Sequence, residues 1–257
     1  MVKKRIIPKF LVRDGRLVKA VRFFDNFREA GNAVSTARVY DSYGVDEMIF
    51  LDIDATPEKR TIDCSIIERV SEEIFMPFTV GGGVRTISDI ESLLESGADK
   101  VSINAAALEI PGLVSDAASR FGDQCIVVSI DYRTDSDGTF IYSRGGSERN
   151  HIDPADWAIR MENEGAGEIM MTSIDRDGMM NGYDLDMINK LANQLTKPLI
   201  ASSGAGNLSH CHAALEAGAS AVTVSSMFIF TDNSPIKVRT YLADKGVNIR
   251  NQVGSHS

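Results

Sequence analysis

The chain repeats itself. Shifted by 121 positions, PFTVGGGVRTISDIESLLESGADKVSIN (77–104) falls on PLIASSGAGNLSHCHAALEAGASAVTVS (198–225) without a gap. Pro77/Pro198, Gly83/Gly204, Leu94/Leu215, Glu95/Glu216, Gly97/Gly218 and Ala98/Ala219 coincide, and the same shift sets Glu47 on Glu168 and Ile53-Asp54 on Ile174-Asp175. A chain of two similar halves must fold into an architecture that divides in two. Short apolar runs at 5–12, 47–54, 77–82, 100–104, 126–131, 168–173, 198–202 and 221–225 alternate with helical patterns at 65–75, 88–96, 112–121, 154–164, 184–195 and 207–217. In one of these, Ile87, Ile90, Leu93 and Leu94 follow the helical period, with Gly97 where the helix should stop. Strand–helix alternation builds right-handed βαβ units on a parallel sheet. Four such units in each half give eight, the count of a (β/α)8 TIM barrel, over a doubly wound open sheet. The expectation is an α/β chain of one domain spanning 1–257, with half-barrels at about 1–123 and 124–250.

Composition limits what such a barrel can meet. With 43% apolar and 25% charged residues the chain is an ordinary globular one. Its 36 acidic residues outnumber 27 basic ones for a net charge of −9, which argues against a nucleic-acid surface. Cys64, Cys125 and Cys211 are odd in number and form no CxxC, as expected of reduced thiols in a cytoplasm. The N-terminus is charged again before a signal peptide could form, and the longest uncharged stretch, 217–231, is shorter than the ~20 residues of a spanning helix. A soluble cytoplasmic protein, with no membrane contact, is expected.

In a barrel of this kind the chemistry sits at the C-terminal ends of the strands. Gly81-Gly82-Gly83 follows the third run, and Ser202-Ser203-Gly204-Ala205-Gly206 follows the seventh at the equivalent place. Asn104 ends the fourth run and Ser225-Ser226 the eighth. Small residues there let backbone N–H groups approach an anion. Tight turns alone would explain one such loop; two in symmetric positions point to a substrate with a phosphate at each end.

Asp131 ends the fifth run after CIVVSI, a natural place for a general acid or base. The first run aligns with the fifth at a shift of 120, placing Leu11 on Asp131. Leucine cannot transfer a proton, so the symmetric acid is missing; Asp14 is nearby in the following loop. Asp52, Asp175 and Asp177 are further strand-end acids, and Asp175-Arg176-Asp177-Gly178 could equally be a self-paired loop. At the other end, Arg5, Glu47, Lys100 and Glu168 each begin a run, forming either a rim of exposed ion pairs or a closed ring. His210 and His212 do not share a helical face, and no arrangement suggests a metal site or a cofactor. The methionines read as packing filler.

These residues resemble the cyclase subunit of imidazole glycerol phosphate synthase, over essentially all of 4–250. The resemblance rests on KRII, RDGRLVK (13–19), DEMIFLDIDA (46–55), PFTVGGGV, SGADKVSINAAA, GEIMMTSIDRDG (167–178), GYDLDMI and GVNIR. It implies a glutaminase subunit docked on the barrel bottom in a heterodimer, with ammonia travelling up the barrel to a bisphosphorylated substrate. That substrate is cleaved and cyclised to imidazole glycerol phosphate and an aminoimidazole carboxamide ribotide. By the same resemblance Arg5, Glu47, Lys100 and Glu168 would form the ammonia gate, and Asp99 and Gln124 would lie near the glutaminase. Gly83, Asn104, Gly178, Gly204, Ser225 and Ser226 would hold the two phosphates.

One departure matters. The family carries an aspartate at the end of the first strand in a Cys-Leu-Asp-Val context, and this chain reads Lys9-Phe10-Leu11-Val12. The seventh-strand glycine pair is Ser202-Ser203. A kept gate with a lost acid is similar to the branch associated with acetamidino modification of surface-polysaccharide sugars, in which a sugar amidotransferase uses the ammonia. The competing readings are an authentic cyclase that uses Asp131 with Asp14 or a water, and a non-catalytic scaffold that activates a glutaminase. A phosphosugar isomerase barrel is weaker, since it would not need the charged bottom.

Overall fold

The computed structural model describes residues 3–23 and 25–250. Along the chain the strands are β1 (Arg5–Arg13), β2 (Arg16–Val21), β3 (Asp25–Asn32), β4 (Met48–Asp52), β5 (Phe78–Gly81), β6 (Lys100–Ile103), β7 (Ile126–Asp135), β8 (Gly138–Ser143), β9 (Glu148–Asn150), β10 (Glu168–Ser173), β11 (Leu199–Ser202) and β12 (Ala221–Val224). The helices are α1 (Ala33–Ser42), α2 (Cys64–Ser71), α3 (Ile87–Glu95), α4 (Ala105–Glu109), α5 (Leu113–Phe121), α6 (Pro154–Asn163), α7 (Leu185–Ala192), α8 (Leu208–Glu216), α9 (Ser226–Phe230) and α10 (Pro235–Asp244). Eight strands pair in parallel in the cyclic order β1-β4-β5-β6-β7-β10-β11-β12, and β12 returns to β1 through Ile7 opposite Thr223, so the sheet closes on itself. This is the (β/α)8 barrel, and all eight runs read from the sequence are its strands.

Two antiparallel extensions were not anticipated. β1 turns back through Asp14-Gly15 into β2, and β7 turns back into β8 through a turn that ends at Gly138. Asp14 and Gly15 both have positive φ, 47° and 71°, the backbone of a tight type I′ hairpin that Asp-Gly favours. Helices α1, α4, α9 and α10 are also additions. α4 and α9 are five residues long, too short to show a period. α1 begins where Asn32 accepts hydrogen bonds from the Val34 and Ser35 amides, a cap that stops its first turn from fraying.

The core has two parts because each barrel strand has two buried faces. The outer part, between strands and helices, holds Phe10, Phe50 and Phe78 in successive edge-to-face contacts with centroids 6.0 and 5.1 Å apart. The inner part is a plug of Ile7, Ile49, Val127, Met170, Ile200 and Ala221 across the barrel axis. Along β1, Arg5, Ile7, Lys9 and Leu11 alternate with Ile6, Pro8 and Phe10, and thus face the axis in order from bottom to top.

Candidate functional site

The lower mouth of the barrel is closed by charge. Arg5 donates to Glu47 at 2.7 Å and to both oxygens of Glu168 at 3.0 and 3.1 Å. Lys100 donates to Glu47 at 2.8 Å and Glu168 at 2.9 Å, and the Thr79 hydroxyl donates to Glu47 at 2.7 Å. The four residues alternate in sign round a closed ring, which decides between the two arrangements the sequence allowed. Glu47 is 1% exposed, so this is no solvated rim. Burial alone would lower the Arg5 guanidinium pKa, but Glu168 and Glu47 outweigh it and hold it above its ordinary value. Asp99 and Gln124 lie exposed at this end; Asp99 accepts from the Phe78 amide at 2.8 Å and so anchors the start of β5. Phe75, 96% exposed, sits in the turn before β5 at the same end and carried no mark in the sequence.

Above the apolar plug the axis turns polar. Lys9, Ser129, Thr172, Ser202 and Thr223 are all buried. Lys9, Ser129 and Thr172 open into a cavity of about 310 Å³ at the upper face, lined also by Leu11, Gly82, Gly83, Asn104 and Asp131. Phe23 and Phe27 cover it from the β2–β3 hairpin, and Arg13 lies 4.6 Å over the Phe27 ring. A second space of only about 10 Å³ is lined by Lys9, Lys19, Asp177, Gly178, Ser203, Gly204, Ser225 and Ser226. It has room for roughly one water. The six residues expected at phosphates therefore converge in two groups: Gly83 and Asn104 on the large cavity, Gly178, Gly204, Ser225 and Ser226 on the small one.

The glycines have a packing reason of their own. At Gly83 (φ 68°) an added Cβ would lie 1.7 Å from the Arg60 carbonyl, and at Gly204 (φ 105°) 2.1 Å from that of Gly182. Each is needed where a neighbouring loop crosses at backbone contact. The symmetry extends to the strand ends: Asn104 and Ser225 share nearly the same backbone angles (−126°, −95° and −135°, −81°), and neither side chain caps the helix that follows. Asn104 instead donates to Asp131 at 2.7 Å, while the Ser225 hydroxyl is buried without a hydrogen-bond partner.

Asp131 is buried at the cavity wall. Burial raises its carboxyl pKa to about 6, against the pull of Lys9 and of the Asn104 amide. A carboxyl tuned to that range gives and takes protons near neutrality. Leu11 lines the same cavity and leaves Asp131 without a carboxylate partner on β1. Asp14 does not supply one, because it is exposed at the tip of the β1–β2 hairpin, facing solvent. The loop 175–178 is not self-paired, which was one of the two readings its sequence allowed. Asp175 accepts from the Thr134 amide and faces Arg133, Arg176 reaches the Gly182 carbonyl, and Asp177 takes Lys19 on both oxygens at 3.0 Å and the Ser203 hydroxyl at 3.1 Å. Asp52 is also structural, binding Arg60 at 2.6 Å and the amides of Asp54 and Ala55. His210 accepts from the Gly206 amide and His212 meets Tyr241 edge to face, at separate places on the surface.

No helix among the described residues is long and apolar enough to cross a membrane. The family model described as histidine biosynthesis protein matches residues 5–234, from the first barrel strand to the residue before α10, and the chain belongs to that family.

Proposed function

We propose that this barrel takes ammonia through its lower mouth from a glutaminase subunit docked there and conducts it to the upper cavity, a site for a phosphorylated sugar-type substrate. The observation that carries the reading is the closed ring of Arg5, Glu47, Lys100 and Glu168 at the end of the barrel opposite the cavity. A ring of salt-bridged side chains is a door that can be rearranged by a partner pressing on it. The plug above it is apolar, and an apolar passage admits neutral ammonia while a desolvated ammonium ion is held back. Exposed Phe75, at the same end of the barrel as Asp99 and Gln124, supplies the aromatic anchor typical of an interface centre.

At the upper face Gly83 and Asn104 offer one phosphate site, and Gly178, Gly204, Ser225 and Ser226 a second that requires the Lys19–Asp177 pair to move aside. Proton transfer falls to Asp131. With Leu11 where the family's cyclase has its second acid, the ammonia serves a diverged end, the amidination of a bacterial surface sugar by a partner amidotransferase. Authentic cyclisation in histidine synthesis, and a scaffold that only activates the glutaminase, are the outcomes that would replace it.

The test supplies the purified chain with the bisphosphorylated cyclase substrate and excess ammonium salt at alkaline pH, which bypasses the glutaminase. The expected result is turnover below that of a cyclase by ~10²–10⁴-fold, the usual worth of one acid–base group, with partial recovery in Leu11→Asp. Full turnover in the unmodified chain would make it an authentic cyclase. In a second arm with the glutaminase added and glutamine in place of ammonium salt, glutaminase activation with no ammonia delivered above the ring would make it a scaffold.

A further inference from the structure

Two lysines are buried in the upper half of the barrel, and their surroundings differ. Lys19, 3% exposed, is held by both oxygens of Asp177. Lys9, 5% exposed, forms no ion pair among the described residues; its Nζ donates to one neutral group, the Ser202 hydroxyl, at 2.6 Å. A buried ammonium without a carboxylate against it is costly, so a lysine in this setting sheds its proton more readily. Lys9 also borders both upper spaces, so its amine is within reach of anything bound there.

We propose that Lys9 is a nucleophilic amine that captures the carbonyl carbon of an aldose or ketose phosphate in the upper cavity as an imine. The step balances without a further reagent. The Nζ lone pair forms a bond to the carbonyl carbon, and the carbonyl oxygen takes a proton from Asp131. The nitrogen returns a proton to the Asp131 carboxylate. The carbinolamine hydroxyl then leaves as water on taking that proton, while the nitrogen lone pair closes the carbon–nitrogen double bond. The second amine proton is lost to solvent to give the neutral imine, or retained as the iminium.

The surroundings suit each stage. Burial lowers the Lys9 pKa, with the nearby Lys19 charge adding to it and Asp177 and Asp131 opposing, so the amine sheds its proton more readily than an exposed lysine. Asp131 titrates close enough to neutrality both to give and to accept the travelling proton. The Thr172 hydroxyl, 2% exposed, lines the same cavity against the Asp131 carboxyl and can turn from it to the carbinolamine oxygen. A structural lysine would need none of this and would sit as Lys19 does.

The proposal extends the upper cavity's reading as a phosphosugar site but does not need a glutaminase. The test treats the whole chain with glyceraldehyde 3-phosphate, or with glyceraldehyde, in the presence of cyanoborohydride, and maps the reduced adducts by peptide mass spectrometry. The expected result is one fast, saturable adduct on Lys9 with both probes, at least ~10-fold faster than on exposed lysines. The phosphorylated probe should react faster and be slowed by inorganic phosphate. Modification of exposed lysines with Lys9 untouched by either probe would overturn the proposal. Lys9 labelling with no preference for the phosphorylated probe would keep the amine and remove the phosphate reading alone. Asp131→Asn should slow the Lys9 adduct by ~10²-fold, and an unchanged rate would overturn Asp131 as the proton carrier. Lys9→Met should abolish the fast adduct; because the wild-type map already reports the site, the test survives a poorly folding variant.

Discussion

At the scale of single residues, Asp131 sets a measurable conflict between stability and chemistry. Its carboxyl rises from an ordinary 3.8 to about 6 on folding, because burial disfavours the charged form. The sign follows: the fold bears no cost from this group below pH 3.8, a growing cost between 3.8 and about 6, and a constant cost above. Asp131→Asn is therefore expected to stabilise the protein by about 1–3 kcal/mol at pH 8 and hardly at all at pH 4. Denaturant unfolding at the two pH values checks it, and equal effects at both would refute the assignment. Asp131 itself was legible, because it closes an apolar run in the sequence. Leu11 was legible because the internal repeat named the residue that should oppose Asp131. Lys9 was not. A lone lysine in an apolar run says nothing of direction until the barrel closes and puts it in line with Arg5, Ile7 and Leu11. The Lys19–Asp177 pair joins residues 158 apart and has no local trace.

At the scale of elements, the glycine loops matter first as places where backbones cross. Gly83→Ala would force its Cβ against the Arg60 carbonyl at positive φ, and should cost about 2–4 kcal/mol with no ligand present. Gly112→Ala, also at positive φ but with open space around it, should cost only about 1 kcal/mol. Comparable losses in urea unfolding would show that backbone conformation, and not the loop crossing, sets the requirement. The same scale explains what the sequence hid. The barrel strands and six of the helices follow their hydrophobic periods. The two hairpins were marked only by Asp14-Gly15 and Asp137-Gly138, dipeptides that favour tight turns and stand beyond the ends of already assigned strands. α10 begins at Ser234-Pro235, a good helix start, but its charged residues are spread among the apolar ones and blur the period.

At the scale of the whole molecule, the charged ring is poor at stabilising and good at being rearranged. Arg5→Met leaves Glu168 with Lys100 as its one partner in the ring, and should cost about 2–4 kcal/mol, somewhat below a fully buried pair because the Arg5 side chain is 21% exposed. Replacing all four members by apolar residues of similar size should cost far less than the sum of single changes. Additive losses in denaturant unfolding would contradict that. If the ring is the ammonia door, the fourfold variant would keep ammonium-dependent activity at the upper face and lose the glutamine-dependent kind.

The ring is also unevenly shared between the halves of the chain. Arg5, Glu47 and Lys100 come from the first, and Glu168 alone from the second. Arg5 stands on β1, beside the β1–β12 junction, and Lys100 on β6, beside the β6–β7 junction, so both clasps across the duplication end on one carboxylate. A displacement of Glu168 would then release both ion pairs that cross between the halves at once, while the strand ladders keep the seams joined.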